Sequence, residues 1–276
     1  MGQYSSFELS IDGGVAHLIL GNPSKMNALG PSFWKELPLA VAEMDRGGEV
    51  RALLISSTGP MFCSGIDLTM FSDESLCSVS TPLERDRLKH LILQLQESIS
   101  CLQKCRFPVL AAIQGACLGA GLDLISACDM RWGTKDSFYV LQEINIGIMA
   151  DLGSLQRLPL LLPDAIVREM AFTGCKLGSE RAHDNGFLNG VCASHEEAVA
   201  TAMQAARTVA QKSPLAIAGT KTCLNYLSGH STEEALQQCA NLQSAIFDPA
   251  EIMAQVMAMK SKSTHQAKDL LALKSF

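Results

Sequence analysis

The hydrophobic positions near the start of the chain follow the period of a β-strand. Phe7-Glu-Leu-Ser-Ile11 alternates apolar and polar residues, and Val15-Ala-His-Leu-Ile-Leu20 follows a turn at Asp12-Gly-Gly. Two such segments joined by a Gly-containing turn are typical of a hairpin. We therefore predict that the chain opens with two antiparallel strands.

Beyond the hairpin, short apolar runs alternate with segments of helical spacing. Residues 52–56 and 109–113 are apolar runs bounded by polar, Gly or Pro residues, whereas residues 32–45 and about 82–105 have helical periodicity. This alternation predicts βαβ units around a buried parallel sheet, and therefore an α/β fold. The Ser-rich and acidic stretch Asp73–Ser80 is predicted to be a mobile loop.

From Pro163 onward the pattern predicts helices almost throughout. We expect an α/β core over residues 1–200 and a C-terminal helical region over residues 201–276. A sequence of 276 residues with 47% hydrophobic and 18% charged residues is ordinary for a globular protein.

Charge and cysteine usage narrow the possible functions. The net charge of −6 argues against nucleic-acid binding, and the uncharged run from Phe107 to Leu122 is too short to span a membrane. The ten cysteines lie within apolar patterns and are predicted to be reduced thiols. Cys101 and Cys105 share a helix face, but no further ligands complete a zinc site, so no metal is expected. The first residues carry no clear targeting signal.

Three carboxylates occur in an otherwise apolar, Gly-rich stretch. They are Asp123, Glu143 and Asp151. A buried carboxylate costs free energy unless it is paired, hydrogen-bonded or protonated, so such groups are either structural or transfer protons with raised pKa values. The nearby Asp129 and Arg131 are expected to form a structural ion pair. Together with the glycines, the three carboxylates favour an enzyme that moves protons on its substrate.

Two Gly-containing turns follow predicted strands. Phe62-Cys-Ser-Gly-Ile-Asp-Leu68 is one, and Gly115-Ala-Cys-Leu-Gly-Ala-Gly121, which runs into a helix, is the other. Two such turns can direct two backbone N–H groups at one oxygen, which is how an oxyanion hole is built. Each turn alone is also compatible with an ordinary connection, and neither has the spacing of a nucleotide-binding loop.

These motifs occur in an order that resembles a known family. Met26-Asn-Ala-Leu29, the Ser-Gly-Ile-Asp-Leu turn, the Gly-Ala-Gly turn, Glu143-Ile-Asn-Ile-Gly147 and Gln156-Arg-Leu-Pro159 resemble the crotonase superfamily of acyl-CoA enzymes. The acidic set formed by Asp123, Glu143 and Asp151 is most similar to that of the Δ3,5-Δ2,4-dienoyl-CoA isomerases, which act in β-oxidation of unsaturated fatty acids. The resemblance covers nearly the whole chain.

The resemblance implies a spiral of stacked ββα units and a C-terminal helical region used for trimer formation, usually within a hexamer. It implies an acyl-CoA thioester as substrate and no separate cofactor, since coenzyme A is part of that substrate. It also implies a peroxisome-like organelle or a mitochondrion as the compartment. The backbone N–H groups of Ile66 and Ala120 are expected to form the oxyanion hole. The residues expected to bind the substrate or its coenzyme A part are Met26, Asn27, Ala28, Ser64, Gly65, Asp67, Leu68 and Gly121.

By the same resemblance, Asp151 is favoured as the base at C2 and Glu143 as the acid at C6 of a 3,5-dienoyl thioester. Asp123 is expected to orient the site or to set its electrostatics. The assignment of base and acid stays open at the level of sequence. One alternative is an enoyl-CoA hydratase with carboxylates at positions 123 and 143, although Asp123 is about one methylene short for that role. The other alternative is a non-catalytic acyl-CoA-binding relative.

Overall fold

The computed structural model describes residues 4–73, 78–263 and 265–274. The predicted loop Asp73–Ser80 lies partly outside the described residues. The strands are β1 (Phe7–Asp12), β2 (Val15–Leu20), β3 (Ala52–Ser57), β4 (Val109–Ile113), β5 (Ala116–Leu118), β6 (Met130–Thr134), β7 (Phe138–Val140), β8 (Leu177–Gly178) and β9 (Gly190–Cys192). The α-helices are α1 (Pro31–Gly47), α2 (Pro82–Lys104), α3 (Ala120–Ser126), α4 (Ser154–Arg157), α5 (Asp164–Thr173), α6 (Ser179–Asp184), α7 (His195–Ala210), α8 (Pro214–Leu227), α9 (Thr232–Ile246) and α10 (Pro249–Ser261).

The strands form two sheets. The main sheet has the order β1-β2-β3-β4-β6-β9, in which only the β1–β2 hairpin is antiparallel. The smaller sheet has the order β5-β7-β8 and lies where the chain leaves β4 and β6. The predicted hairpin and the predicted parallel sheet are both confirmed.

The main sheet is buried on both faces. Alternate residues of a strand point to opposite faces, so Leu53 and Ile55 of β3 join the larger core, whereas Leu54 joins a second core beneath α7. On α7, fully buried alanines recur every four residues at positions 198, 202 and 206. These small side chains allow the helix to pack closely against the sheet.

The prediction that the chain is helical almost throughout after Pro163 is wrong at two places. Leu177–Gly178 forms β8, and Gly190–Cys192 forms β9 at the edge of the main sheet. Strands of two and three residues are too short to show a period of their own, and their pairing depends on partners far away in sequence. The predicted division at residue 200 stays a prediction, and α7 runs across that position.

The C-terminal helical region is attached to the core through a buried lysine. Lys221 on α8 donates to the carbonyl oxygens of Leu102 (2.8 Å) and Phe107 (2.9 Å) and pairs with Asp129 at 2.9 Å. The prediction that Asp129 pairs with Arg131 is therefore wrong, because the partner of Asp129 is Lys221. The guanidinium of Arg131 instead donates to backbone carbonyl oxygens, among them that of Phe187 at 2.8 Å.

Candidate active site

The structure brings the three predicted carboxylates to one place from three different elements. Asp123 lies on α3, Glu143 lies on a 3-10 helix (Gln142–Ile146) that follows β7, and Asp151 lies on the loop before α4. The negative charges of Asp123 and Asp151 both raise the pKa of Glu143. Residues 28 positions apart in sequence thus share one electrostatic environment.

Asp123 is completely buried and hydrogen-bonded to the start of α4. Its Oδ1 accepts hydrogen bonds from the backbone N–H and from the hydroxyl of Ser154, both at 2.6 Å. Burial raises the pKa of Asp123 to about 6, and the bonds from Ser154 oppose that rise. Its second oxygen, Oδ2, is buried without a hydrogen-bond partner among the described residues.

Glu143 has the properties of a proton donor that works near neutral pH. Burial, followed by the charge of Asp123, raises its pKa to about 7. Its Oε2 is buried and has no partner within the described part of the chain. Its Oε1 lies beside Gly119, because a β-carbon built on that glycine would be 3.0 Å from this oxygen. The carboxyl group therefore lies next to the N-terminus of α3.

Asp151 is partly exposed, and burial raises its pKa above the ordinary value. Its backbone oxygen accepts a hydrogen bond from Gln96 of α2 at 2.6 Å. Because a raised pKa makes a carboxylate a stronger base than free aspartate, Asp151 is suited to accept a proton from carbon.

The two predicted oxyanion-hole residues lie on neighbouring turns. Gly65 has a φ of +103°, and a β-carbon there would be 3.2 Å from the carbonyl oxygen of Leu118 and 3.7 Å from the backbone nitrogen of Ala120. Among the described residues, the backbone N–H groups of Ile66 and Ala120 donate to no other backbone group. Ala120 is helical and is not among the residues with positive φ, so its substitution for glycine causes no strain. Their role as an oxyanion hole stays a prediction.

The segments predicted to bind coenzyme A run side by side. Ser64 N–H donates to Met26 (3.0 Å), Leu29 N–H to Gly65 (2.8 Å), and Asp67 N–H to Leu29 (3.0 Å). A pocket of about 420 Å³ is lined in part by Asn27, Ala28 and Asp67, together with Lys25, and none of the three carboxylates lines it. Lys25 pairs with Asp67, another residue that lines this pocket, at 3.3 Å.

Two of the predicted binding residues, Asn27 and Gly121, are held in place by their neighbours. The Asn27 side chain donates to the carbonyl oxygens of Thr58 and Met61 and accepts from the backbone of Asn22, so all its polar atoms are used. Gly121 is packed against a cysteine, since a β-carbon there would be 2.8 Å from Cys63 Cβ. Met26 and Leu68, in contrast, are exposed. Their contact with substrate stays a prediction.

Sequence reasoning missed three residues that hold the Asp151 loop. They are Ser154, which binds Asp123, and Gln96 and Arg157, which donate to the carbonyl oxygens of Asp151 and Leu152. The Gly153-Ser154 pair signals a helix start, but nothing local in the sequence identifies its partner on α3.

Within residues 4–73, 78–263 and 265–274, no group of three His, Cys, Asp or Glu side chains could hold a metal ion. No helix described is long and apolar enough to cross a bilayer.

Comparison with known proteins shows the family and the fold of the chain. The family described as enoyl-CoA hydratase/isomerase matches residues 10–268. A peroxisomal Δ3,5-Δ2,4-dienoyl-CoA isomerase of Arabidopsis thaliana is 36% identical over 268 residues, covering 95% of this chain and 96% of the relative. A mitochondrial Δ3,5-Δ2,4-dienoyl-CoA isomerase of Rattus norvegicus is 35% identical over 251 residues, covering 90% and 77%.

Solved structures of similar fold include two enoyl-CoA hydratases. That of Polaromonas sp. JS666 has a TM-score of 0.85 at 26% identity, covering 96% of this chain and 100% of the other. That of Bacillus anthracis has a TM-score of 0.86 at 21% identity, covering 96% and 99%. The expected crotonase-like fold is confirmed, and the chain belongs to the enoyl-CoA hydratase/isomerase family.

Proposed function

We propose that this protein isomerises 3,5-dienoyl-CoA to 2,4-dienoyl-CoA. The observation that carries the proposal is the grouping of Glu143 and Asp151, two carboxylates of raised pKa, around a third, fully buried carboxylate, Asp123. The reaction requires one base and one acid at separate points along an acyl chain. Glu143 and Asp151, which lie on different elements, are proposed to take these two roles.

In the proposed mechanism, Asp151 removes a proton from C2 of the substrate. The electrons delocalise into a dienolate whose charge reaches the thioester oxygen, where the N–H groups of Ile66 and Ala120 stabilise it by about 3 kcal/mol per donor. Glu143 then donates a proton to C6. The double bonds move from C3 and C5 to C2 and C4, and the substrate keeps its composition. Asp151 ends protonated and Glu143 ionised, so Asp151 releases its proton to solvent and Glu143 takes one up before the next turnover.

The pKa values support this division of roles. A general acid must be protonated at the working pH, and the pKa of Glu143 of about 7 keeps a substantial protonated fraction near neutrality. Burial raises the pKa of Asp151 as well, but Asp151 is partly exposed, whereas the pKa of Glu143 is raised to about 7 by burial and then by the charges of Asp123 and Asp151. We therefore assign Asp151 as the base.

A hydratase would need two carboxylates facing one water molecule. Asp123 is fully buried, and its Oδ1 already accepts two hydrogen bonds from Ser154. This arrangement leaves only the buried Oδ2 of Asp123 to hold a reactive water, and it supports isomerisation over hydration.

We further propose that coenzyme A lies along the paired segments around Met26–Ala28 and Ser64–Leu68, with Lys25 near its phosphates. The Lys25 side chain lines the pocket and is 61% exposed, so its charge is available to an anion bound there.

We also propose that the C-terminal helices assemble the chain into trimers or hexamers. No residue of α9 or α10 is buried, while Leu236, Phe247 and Met259 are largely exposed. Exposed apolar side chains of this number are typical of an interface. Light scattering on the purified protein tests this assembly. A monomer at micromolar concentration would contradict it.

The compartment proposed is a peroxisome or a mitochondrion, since the names of the Arabidopsis and rat relatives state these two organelles. A fluorescent fusion of the full-length protein, imaged with markers for both, tests this.

The activity is tested by incubating the protein with a 3,5-dienoyl-CoA and recording the ultraviolet absorbance of the conjugated 2,4-dienoyl product, with hydration of crotonyl-CoA measured alongside. We expect isomerisation. Hydration without isomerisation would replace this proposal with the hydratase. Absence of both, with retained acyl-CoA binding, would favour a non-catalytic relative.

A further inference from the structure

Three polar side chains on α2 face the loop that carries Asp151. Gln96, Ser100 and Gln103 are spaced four and three residues apart, which places them on one side of the helix. We call them the polar stripe of α2. The first member donates to the backbone oxygen of Asp151 at 2.6 Å, and the other two bind Arg157.

Arg157 joins the polar stripe of α2 to the loop. Its Nη2 donates to Ser100 Oγ at 2.9 Å, its Nε to Gln103 Oε1 at 3.3 Å, and its Nη1 to the carbonyl oxygen of Leu152 at 3.2 Å. These partners are neutral, although the guanidinium is partly buried. Because a guanidinium is planar and its three hydrogen bonds have fixed directions, it holds the groups that it binds in a more strictly defined orientation than an ammonium would.

The loop backbone is shaped around this guanidinium. Gly153 has a φ of +126°, and a β-carbon at that position would overlap the Arg157 side chain. The next residue, Ser154, is bound to Asp123. The carbonyl groups of residues 151 and 152 are therefore held from the side of α2, and residue 154 is held from the side of α3.

We propose that Gln96 and Arg157 are positioning residues, which hold the Asp151 carboxylate where it can accept the C2 proton. This inference rests on the proposed function for its catalytic consequence, but the restraint on the loop does not. A displacement of a catalytic group by about 1 Å can cost about a hundredfold in rate. The two side chains touch the backbone of the loop and act through Asp151.

The test uses Gln96→Ala and Arg157→Lys in the full chain, with Gln94→Ala as the matched control. Gln94 is exposed on the same helix, and Arg157→Lys keeps the positive charge while removing the planar fork. For both positioning variants we expect kcat to fall by about tenfold to a hundredfold, with little change in KM. The control is expected to retain wild-type kcat.

A double-mutant cycle separates positioning from a general loss of structure. If Gln96 and Arg157 act through Asp151, each substitution should reduce the residual activity of Asp151→Asn by less than about twofold. A full, multiplicative loss in the Asp151→Asn background would overturn the proposal, as would unchanged kcat in both single variants.

Amide hydrogen exchange of the peptides covering residues 147–157 gives a readout that needs no activity. We expect exchange there to be faster by about tenfold in both variants than in wild type or Gln94→Ala, with residues 109–118 unaffected. Unchanged exchange would overturn the positioning role even if the isomerase activity is found. Absence of isomerase activity in wild type, with faster exchange in the variants, would refute the proposed function and leave the restraint on the loop established.

Discussion

The carboxylate of Asp123 accepts hydrogen bonds from both the backbone N–H and the hydroxyl of Ser154, each at 2.6 Å. Ser154 is the first residue of α4 and follows Asp151 by three residues. These two hydrogen bonds therefore link α3, which carries Asp123, to the loop that carries Asp151. Asp123 is in this sense a structural partner of Asp151 as well as a source of charge near Glu143.

Ser154→Ala removes the hydroxyl donor of this link. Hydrogen bonds to a charged group contribute about 1.5–3 kcal/mol, so we expect the free energy of unfolding at pH 8 to fall by about that amount. The loss should be smaller at pH 5, because the pKa of Asp123 is about 6 and the carboxyl then becomes protonated in the folded state. Urea unfolding measures both values. A loss no greater than that of the exposed Ser244→Ala would contradict the prediction.

Glu143 is predicted to destabilise the folded protein at alkaline pH. Its pKa is raised from 4.5 to about 7, so between these values the folded state binds a proton that the unfolded chain does not. The free energy of unfolding therefore decreases as pH rises through this window. Glu143→Gln lacks this titration and should be more stable than wild type at pH 8, by on the order of 3 kcal/mol.

Below about pH 4.5 the two proteins should unfold at similar urea concentrations, since Glu143 is then neutral in both states. The exposed Glu180→Gln is the control and should follow wild type at both pH values. Equal stability of Glu143→Gln and wild type at pH 8 would contradict the prediction, because it would mean that the folded state does not raise the pKa of Glu143.

The parts of the fold and site that sequence could predict are those set by local signals. The β1–β2 hairpin and the turn before Ala120 carry their own alternation and glycines, and the three carboxylates stand out against apolar neighbours. The sequence did not predict β9, because an edge strand of three residues is too short to show the alternation of apolar and polar residues that marks a strand. Its place is set by pairing with Trp132–Thr134.

The supports of the site were missed for a different reason. Gln96 is one of several polar residues on an amphipathic helix, and only the packing of α2 shows which of them faces the loop. In the same way, Asp129 lies two residues from Arg131 but pairs with Lys221, 92 positions later. Such contacts depend on how distant elements pack, which hydrophobic periodicity does not determine.

Asp151→Asn and Glu143→Gln should each lower turnover of a 3,5-dienoyl-CoA by about a hundredfold or more, the range of general acid–base contributions. The matched control is Asp164→Asn, which removes an exposed carboxylate on α5. Steady-state kinetics on folded variants measures the effect. Near-normal turnover in either variant would remove that residue from the mechanism.

The rate should depend on pH in a bell shape. Asp151 must be ionised to accept a proton, so kcat/KM falls at low pH, at a pKa above the ordinary aspartate value because burial raises it. Glu143 must be protonated to donate, so kcat/KM also falls as pH rises through about 7. Because the carboxylates interact, the two measured values belong to the group as a whole. A rate that keeps rising above pH 8 would contradict the assignment of Glu143 as the acid.

Gly119→Ala should disturb Glu143 directly. The glycine has a φ of +50°, and the added methyl group would lie 3.0 Å from Glu143 Oε1, so the carboxyl must move. Gly186→Ala is the control for backbone strain alone, because its φ is +81° and a β-carbon there meets no atom within 4 Å. Both variants should lose about 1 kcal/mol or more of stability from the left-handed backbone. Only Gly119→Ala should also lose turnover, by about tenfold or more, with the alkaline limb of the pH profile shifted. Equal turnover in the two variants would contradict this prediction. It would show that Gly119 is required only for its left-handed backbone conformation, and that the position of the Glu143 carboxyl does not depend on the absence of a β-carbon at residue 119.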